Sequence, residues 1–139
     1  MAGETNLQKL ISGMRPELDA QPYVFCTFEK TSMADLAAHD PVGLFHEAEG
    51  LTAILTPQAA EALGQTGLPQ FKRITLQIHS ALEAVGLTAA FSTALGKADI
   101  SANVIAGYFH DHIFVAARDA DKAVRVLEQL AQSKKYIER

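Results

Sequence analysis

The sequence predicts an α+β protein of two ferredoxin-like subdomains, whose strands form one continuous antiparallel sheet with helices packed on a single face. Three observations predict this fold class. The segment from Phe71 to Leu130 has the pattern strand, helix, strand, tight turn, strand and helix. The first half of the chain repeats this order of elements without repeating the residues. Each half alone would be only marginally stable and would leave sheet edges open, and joining the halves side by side corrects both.

Capping residues mark three helix starts in the first half. At such a position a side-chain oxygen accepts a hydrogen bond from an amide of the first helical turn. The expected starts are Asn6, Ser32 with Asp35, and Thr56 before Pro57. Strands are expected where aromatic and β-branched residues cluster, at Tyr23 to Glu29, Val42 to Ala48 and Leu51 to Leu55, with a turn at Glu49-Gly50.

The second half begins with a strand from Phe71 to His79 that alternates between two faces. Ile74, Leu76 and Ile78 face one way, and Arg73, Thr75 and Gln77 face the other. A helix from Leu87 to Lys97 follows, and then two strands, from Ile100 to Phe109 and from His112 to Ala116. The last helix is expected to be capped by Asp119 and to bury Ala123, Val124, Leu127 and Leu130. Tyr136 and Ile137 are expected to form an edge strand. The loop from Gln65 to Pro69 predicts domains at residues 1–68 and 69–139.

The composition is that of an ordinary globular protein. Of 139 residues, 48% are hydrophobic and 20% charged, which excludes a disordered chain. The formal net charge of -4 disfavours nucleic acid as a partner, because phosphates repel such a surface. A polar N-terminus, the lack of a long apolar run and a single cysteine, Cys26, predict a cytoplasmic protein with no membrane partner.

Three runs of residues in the second half resemble the ACT domain: Val85 to Phe91, Ile100 to Val104, and His110 to Val115. The chain is most similar to a family of uncharacterised bacterial tandem-ACT proteins, and the resemblance covers about Arg73 to Leu130. The first half resembles a divergent ACT-like unit, whose corresponding turn, Glu29 to Met33, has no glycine. The resemblance implies ferredoxin-like topology and a non-catalytic, regulatory role in sensing amino acids. Since no catalytic domain accompanies these units, we expect any regulation to act on a separate partner. The uncovered face of the predicted sheet points separately to a homodimer.

The candidate ligand site starts at Gly86, Leu87 and Thr88. The first turn of a helix offers unpaired amides and the positive end of the helix dipole, which suit a carboxylate, and glycine allows close approach. The alternative is a glycine that only forms a turn. The other candidate ligand-binding residues are Ser80, Val85, Asn103 and Ile105. The amide of Asn103 suits an amino acid's ammonium and carboxylate. Alternatively, that amide bonds a backbone edge and Ser80 caps a loop.

The sequence His110-Asp111-His112 is compatible with a metal-binding site or with a turn that lies over a ligand pocket. The simpler interpretation is a hairpin turn in which Asp111 binds backbone amides and the histidines titrate in solvent. No further ligand set, nucleophile motif or phosphate loop is present, so no metal, no cofactor and no catalytic residue are expected. Three functions follow: an amino-acid-binding regulatory protein, a ligand-free protein interaction module, and a small metal-dependent enzyme.

Overall fold

The computed structural model describes residues 6–77 and 86–133. Ile78, Tyr136 and Ile137, which were assigned to strands above, lie outside these residues. The elements in chain order are α1 Leu7–Gly13, β1 Pro16–Phe28, α2 Met33–Ala37, β2 Gly43–Glu47, β3 Gly50–Leu55, α3 Pro57–Ala62, β4 Phe71–Leu76, α4 Leu87–Lys97, β5 Asn103–Ala106, β6 Asp111–Ala116, a short 3₁₀ turn Ala117–Asp119, and α5 Ala120–Ala131.

The strands are hydrogen-bonded in the order β2-β3-β1-β4-β6-β5. The chain divides into two compact units: a larger unit of residues 1–19 and 72–139, and a smaller unit of residues 20–71. The long strand β1 contributes its start to the larger unit and its remainder to the smaller one. The predicted fold class, α+β with two ferredoxin-like subdomains and an antiparallel sheet, is confirmed.

The three predicted helix caps are confirmed by hydrogen bonds from first-turn amides. The side chain of Asn6 accepts from the Lys9 amide, Ser32 from the Asp35 amide and Thr56 from the Ala59 amide, at 3.1, 3.1 and 3.2 Å. Each cap satisfies one of the amides that a helix start leaves unpaired. The local sequence therefore determines where α1, α2 and α3 begin.

The smaller unit packs the apolar face of its strands against α2 and α3. Phe28, Leu36, Leu51, Leu55 and Ala60 are among the buried members of this cluster. The register of β1 on β3 sets Cys26 opposite Ala53, so the single cysteine is buried in the cluster as a free thiol. Two predicted boundaries are corrected. The hairpin turn lies at Ala48-Glu49, and β1 starts at Pro16, well before Tyr23.

The larger unit packs α1, α4 and α5 on one face of β4 and β6. The buried cluster includes Leu10, Ile11, Phe91, Leu95 and Leu127 from the helices and Ile74, Leu76, Ile113 and Val115 from the strands. Because side chains alternate along a strand, Arg73, Thr75, His112 and Phe114 lie on the opposite face of the sheet. The alternation predicted for the strand after Phe71 is confirmed by the burial of Ile74 and Leu76.

Two predictions for the larger unit are wrong for identifiable reasons. The strand expected from Ile100 to Phe109 is reduced to β5, because the Ile100 amide donates to the Leu95 carbonyl at the end of α4. At its other end, the Gly107 amide donates to the His110 carbonyl and closes the turn. Asp119 makes no side-chain cap, because it ends the 3₁₀ turn with helical backbone angles. No helix of the described residues is long and apolar enough to cross a bilayer.

We expect the larger unit's core to depend strongly on Phe91, which is fully buried. Phe91→Ala should lower the free energy of unfolding by about 3–5 kcal/mol, because it removes buried contacts and leaves a cavity. The matched control is Phe45→Ala, since Phe45 is 71% exposed and its loss should change stability by no more than about 0.5 kcal/mol. Urea denaturation followed by circular dichroism measures both, and equal effects would contradict the assignment of the core.

Candidate functional site

The start of α4 is built around Gly86, which has φ +100° and lies in the left-handed region. Its carbonyl accepts the first helical hydrogen bond from the Ala90 amide at 2.9 Å. Glycine has no side chain to cap the first turn, in contrast to Asn6, Ser32 and Thr56 at the earlier helix starts. Leu87 is buried in the core, whereas Thr88 and Ala89 are exposed. The first turn of α4 therefore has no side-chain cap among the described residues, and it carries two exposed residues, Thr88 and Ala89.

One side of this turn is covered by α1. A Cβ atom built on Gly86 would lie 3.0 Å from Cδ2 of Leu7. Both the positive φ and this close approach require glycine, so the turn interpretation given above explains the residue by itself. The open side of the turn is the one formed by Thr88 and Ala89. Two further candidates, Ser80 and Val85, lie outside the described residues.

Asn103 and Ile105 lie on the face of the sheet opposite α4. β5 pairs with β6 so that Asn103 is opposite Phe114 and Ile105 is opposite His112, and these side chains face away from the helices. The Asn103 side-chain amide donates to the Phe114 carbonyl at 3.2 Å, which is the backbone-edge alternative stated above. The structure therefore does not bring Asn103 to the same side of the sheet as the start of α4.

The residues His110, Asp111 and His112 lie at the start of β6 and in the turn before it. The imidazole Nδ1 of His112 is hydrogen-bonded to the hydroxyl of Thr75 on β4 at 2.9 Å. A Cβ atom on Gly107 would lie 3.2 Å from Nε2 of His112, so the turn closes over the ring. The expectation that both histidines titrate in solvent is wrong for His112, which is partly buried.

Burial is the main influence on the acid–base groups of this turn. Burial lowers the pKa of His112 from its ordinary value, and the nearby charges of Arg73 and His110 lower it further. Burial also raises the pKa of Asp111, and His110 opposes that effect. Among residues 6–77 and 86–133, no group of three or more His, Cys, Asp and Glu side chains is arranged to hold a metal ion.

Polar contacts continue across the same face of the larger unit. Arg73 on β4 pairs with Asp19 on β1 at 3.3 Å, and the Gln77 amide donates to Glu17 at 3.2 Å. The sequence indicated that Arg73, Thr75 and Gln77 share a face, but it gave no sign of their partners on neighbouring strands. The sequence likewise gave no sign of the contact between Leu7 and Gly86.

Three surface depressions of the described residues lie away from the candidate site. One of about 370 Å³ lies between α4 and α5 and is lined by Ala94, Lys97, Val126 and Gln129 among others. One of about 190 Å³ lies under the loop after α3, beside Glu61 and Gln65. The third, of about 600 Å³, lies between the start of α2 and the β2–β3 turn. None of these three is lined by a residue of the candidate site.

We expect Gly86→Ala to destabilise the protein by at least about 1 kcal/mol, because alanine disfavours the left-handed backbone and its Cβ would crowd Leu7. Gly96→Ala is the matched control. Gly96 lies inside α4 with no atom within 4 Å of its Cβ position, so alanine there should stabilise by about 0.5–1 kcal/mol. Thermal unfolding measures both, and the same sign for the two variants would contradict this account of Gly86.

We expect His112 to destabilise the fold in mildly acidic solution. Its lowered pKa means that the folded chain binds this proton less tightly than the unfolded chain. The contribution of neutral His112 to stability is therefore present above the ordinary imidazole value of about 6.5 and is lost as the pH falls below it. His112→Asn should flatten the pH dependence of the melting temperature between about pH 7 and 5, and an unchanged pH dependence in this variant would contradict the account of His112.

Comparison with known proteins agrees with this fold. Models of the ACT domain match residues 2–71 and residues 72–129. No curated protein matches the chain. The chain is 48% identical in sequence to VC0802, a protein of unknown function from Vibrio cholerae described as a possible transport protein. That alignment covers 91% of this chain and 96% of the other, with a TM-score of 0.82.

Two further solved structures share the fold at low identity. Atu0741 from Agrobacterium tumefaciens is 14% identical, with 85% of this chain and 89% of that chain covered and a TM-score of 0.67. The regulatory subunit of aspartate kinase from Thermus thermophilus is 11% identical, with 83% and 95% covered and a TM-score of 0.57. The two domain matches span most of the sequence, and the chain therefore belongs to the ACT domain family, as a tandem pair of ACT domains.

Proposed function

We propose that this chain is a non-catalytic regulatory protein of the cytoplasm that binds a small amino acid. The ligand's α-carboxylate docks on the first turn of α4, beside Thr88 and Ala89. The domains are proposed at residues 1–68 and 69–139, with the ligand held by the second. The response to the ligand acts on a second copy of the chain or on a separate protein.

Family membership supports the general role. Tandem ACT domains are typically regulatory and non-catalytic, and the chain matches the ACT domain over both halves. The Thermus thermophilus protein of similar fold is a regulatory subunit of aspartate kinase, an enzyme named for an amino acid. Together these findings favour a small-molecule-binding regulator over the metal-dependent enzyme considered above.

The single observation that carries the proposed site is the uncapped start of α4. The first amides of a helix have no partner within the helix, and the helix dipole gives this end a partial positive charge. A carboxylate placed there accepts those hydrogen bonds without needing a basic side chain. The exposure of Thr88 and Ala89 supports access of a ligand to this turn.

The composition of this turn favours a singly charged ligand. The first turn reads Leu87-Thr88-Ala89-Ala90 and contains no Lys or Arg. A phosphate or another multiply charged anion is usually recognised with the help of such side chains, especially on a protein of net charge -4. The helix end supplies roughly half a positive charge, which suits one carboxylate better than a doubly charged anion and so fits an amino acid. Asn103 and Ile105 are left out of the proposed site because they lie on the face of the sheet opposite α4. The proposed site is therefore the first turn of α4 alone.

Regulation requires that the ligand distinguish two states of the protein, because a ligand shifts only an equilibrium whose states it binds differently. The contact of Leu7 with Gly86 joins this turn to α1, and we propose that a bound ligand favours one position of α1 through it.

Thr88→Glu tests the proposed site. A carboxylate at this position interacts favourably with the helix dipole, so the variant should be as stable as the parent protein or more stable by up to about 1 kcal/mol. The same carboxylate occupies the anion position and repels the ligand, so affinity for the amino acid should fall at least about tenfold. Thr93→Glu places the same charge on an exposed position of the same helix and should preserve binding.

Isothermal calorimetry against the twenty amino acids, each at millimolar concentration, identifies the ligand for this comparison. Absence of heat and of any thermal shift with all twenty would contradict the proposed function. Equal loss of affinity in Thr88→Glu and Thr93→Glu would retain amino-acid binding but move the site away from the start of α4.

A further inference from the structure

The imidazole of His112 is enclosed from two sides on the face of the larger unit that lies opposite the helices. On one side, its Nδ1 is hydrogen-bonded to the hydroxyl of Thr75 at 2.9 Å. On the other side, the backbone of Gly107 comes so close that a Cβ atom there would lie 3.2 Å from Nε2 and 3.4 Å from Cδ2 of the ring. The ring is therefore held between strand β4 and the turn that joins β5 to β6.

The turn between β5 and β6 is closed by a backbone hydrogen bond from the Gly107 amide to the His110 carbonyl, at 2.9 Å. The turn is tight, because a Cβ atom on Gly107 would lie only 2.9 Å from that carbonyl oxygen. The residue whose amide closes the turn is thus the residue that packs against the ring of His112. This contact links the position of the ring to the closure of the turn.

The surroundings of the ring oppose a positive charge on it. Burial lowers the pKa of His112, and the charges of Arg73 on β4 and of His110 in the turn lower it further. Strand β5 contributes no charge, since Ile105 lies opposite His112 and residues 103–106 are all uncharged. The enclosed position therefore suits the neutral ring better than the imidazolium.

The neighbouring acidic groups do not offset this opposition. Asp111 directly precedes His112 on β6, so the alternation of side chains sends its carboxylate to the other face of the sheet. Asp19 on β1 is paired with Arg73 at 3.3 Å. Tyr108, a further titratable side chain of the turn, is 63% exposed. An imidazolium at this position would thus meet the repulsion of Arg73 without a carboxylate of its own.

We propose that His112 is a proton-sensitive latch on the β5–β6 turn: the neutral ring keeps the turn closed, and protonation releases the ring to solvent and opens the turn. An imidazolium donates hydrogen bonds from both nitrogens. In the enclosed position Nε2 lies beside the Gly107 backbone, whereas in solvent both N–H groups bind water. The opened turn changes the surface formed by Tyr108 and Phe109, whose rings meet edge to face at 5.0 Å. This device is separate from the proposed ligand site on α4.

The direction of the switch follows from proton linkage. Opening returns the pKa of His112 toward its ordinary value of about 6.5, whereas the closed turn binds the proton less tightly. The closed turn is therefore favoured above this value. Below it, the equilibrium shifts toward the open turn by up to about tenfold for each pH unit, until the closed form is protonated as well.

Amide hydrogen exchange, measured by NMR on the folded full chain, tests the latch. The protection factor of the Gly107 amide compares its exchange rate with the intrinsic rate at the same pH. This factor should fall at least about threefold between pH 7.5 and 5.5. The amide of Leu127, in the core helix α5, should keep its protection, which separates opening of the turn from acid unfolding of the chain.

Two variants assign the response to one ring. His112→Asn keeps a polar side chain that takes up no proton in this range, so its Gly107 protection should not change with pH. His110→Asn is the matched control, because it removes the neighbouring titratable ring and keeps His112, and its pH dependence should persist. Thr75→Val removes the hydroxyl that holds Nδ1 and should lower the protection of Gly107 already at pH 7.5.

The proposal is overturned if Gly107 protection in the parent chain does not change with pH, or if Gly107 and Leu127 lose protection equally. It is also overturned if the response persists in His112→Asn, or if it disappears in His110→Asn. Circular dichroism of each variant at pH 7.5 checks that the fold is kept. None of these measurements needs an amino acid in solution, so the latch and the proposed function can fail independently.

Discussion

The alternation of side chains along β4 and β6 is the constraint on which the larger unit depends. Ile74, Leu76, Ile113 and Val115 point to one side, where three helices cover them. Every residue between them must then point to the other side, which carries Arg73, Thr75 and His112. A shift of one residue in either strand would bury the polar set and expose the apolar one. The hydrophobic core and the polar row are thus fixed by the same register.

Much of this architecture follows from local sequence. The bounds of α4, the three helix caps and the alternation after Phe71 need only side-chain period and capping chemistry. The length of β5 does not, because it depends on where the Ile100 amide donates its hydrogen bond. That amide has two possible partners, a strand neighbour or the end of α4, and the burial of Ile100 goes with the second. The sequence contains no local signal for this choice.

The candidate site, too, could be predicted from local sequence only in part. Gly86 was identified from the sequence because a helix start offers unpaired amides and glycine allows close approach of a ligand. Its φ of +100° agrees with the alternative, a glycine that forms the turn. The neighbours of the candidate residues depend on which strands lie side by side. His112 was expected in solvent, but the Thr75 hydroxyl and the Gly107 backbone enclose its ring. Asn103 was expected near the start of α4, but strand pairing sets it on the other face. The spacing of residues along the chain predicts which face of the sheet a side chain is on. It does not predict which residues of the adjacent strands lie next to it.

The division of β1 between the two units affects whether the two halves of this chain can be separated. The first nineteen residues belong to the compact unit that the last sixty-eight complete. Among them, Leu10, Ile11 and Met14 are buried in the core shared with α4 and α5. A gene truncated near codon 68 would encode these side chains without the core they fill, and the remaining half would lack its covering helix. The two ACT repeats therefore cannot be inherited or expressed as independent pieces without rebuilding one hydrophobic core.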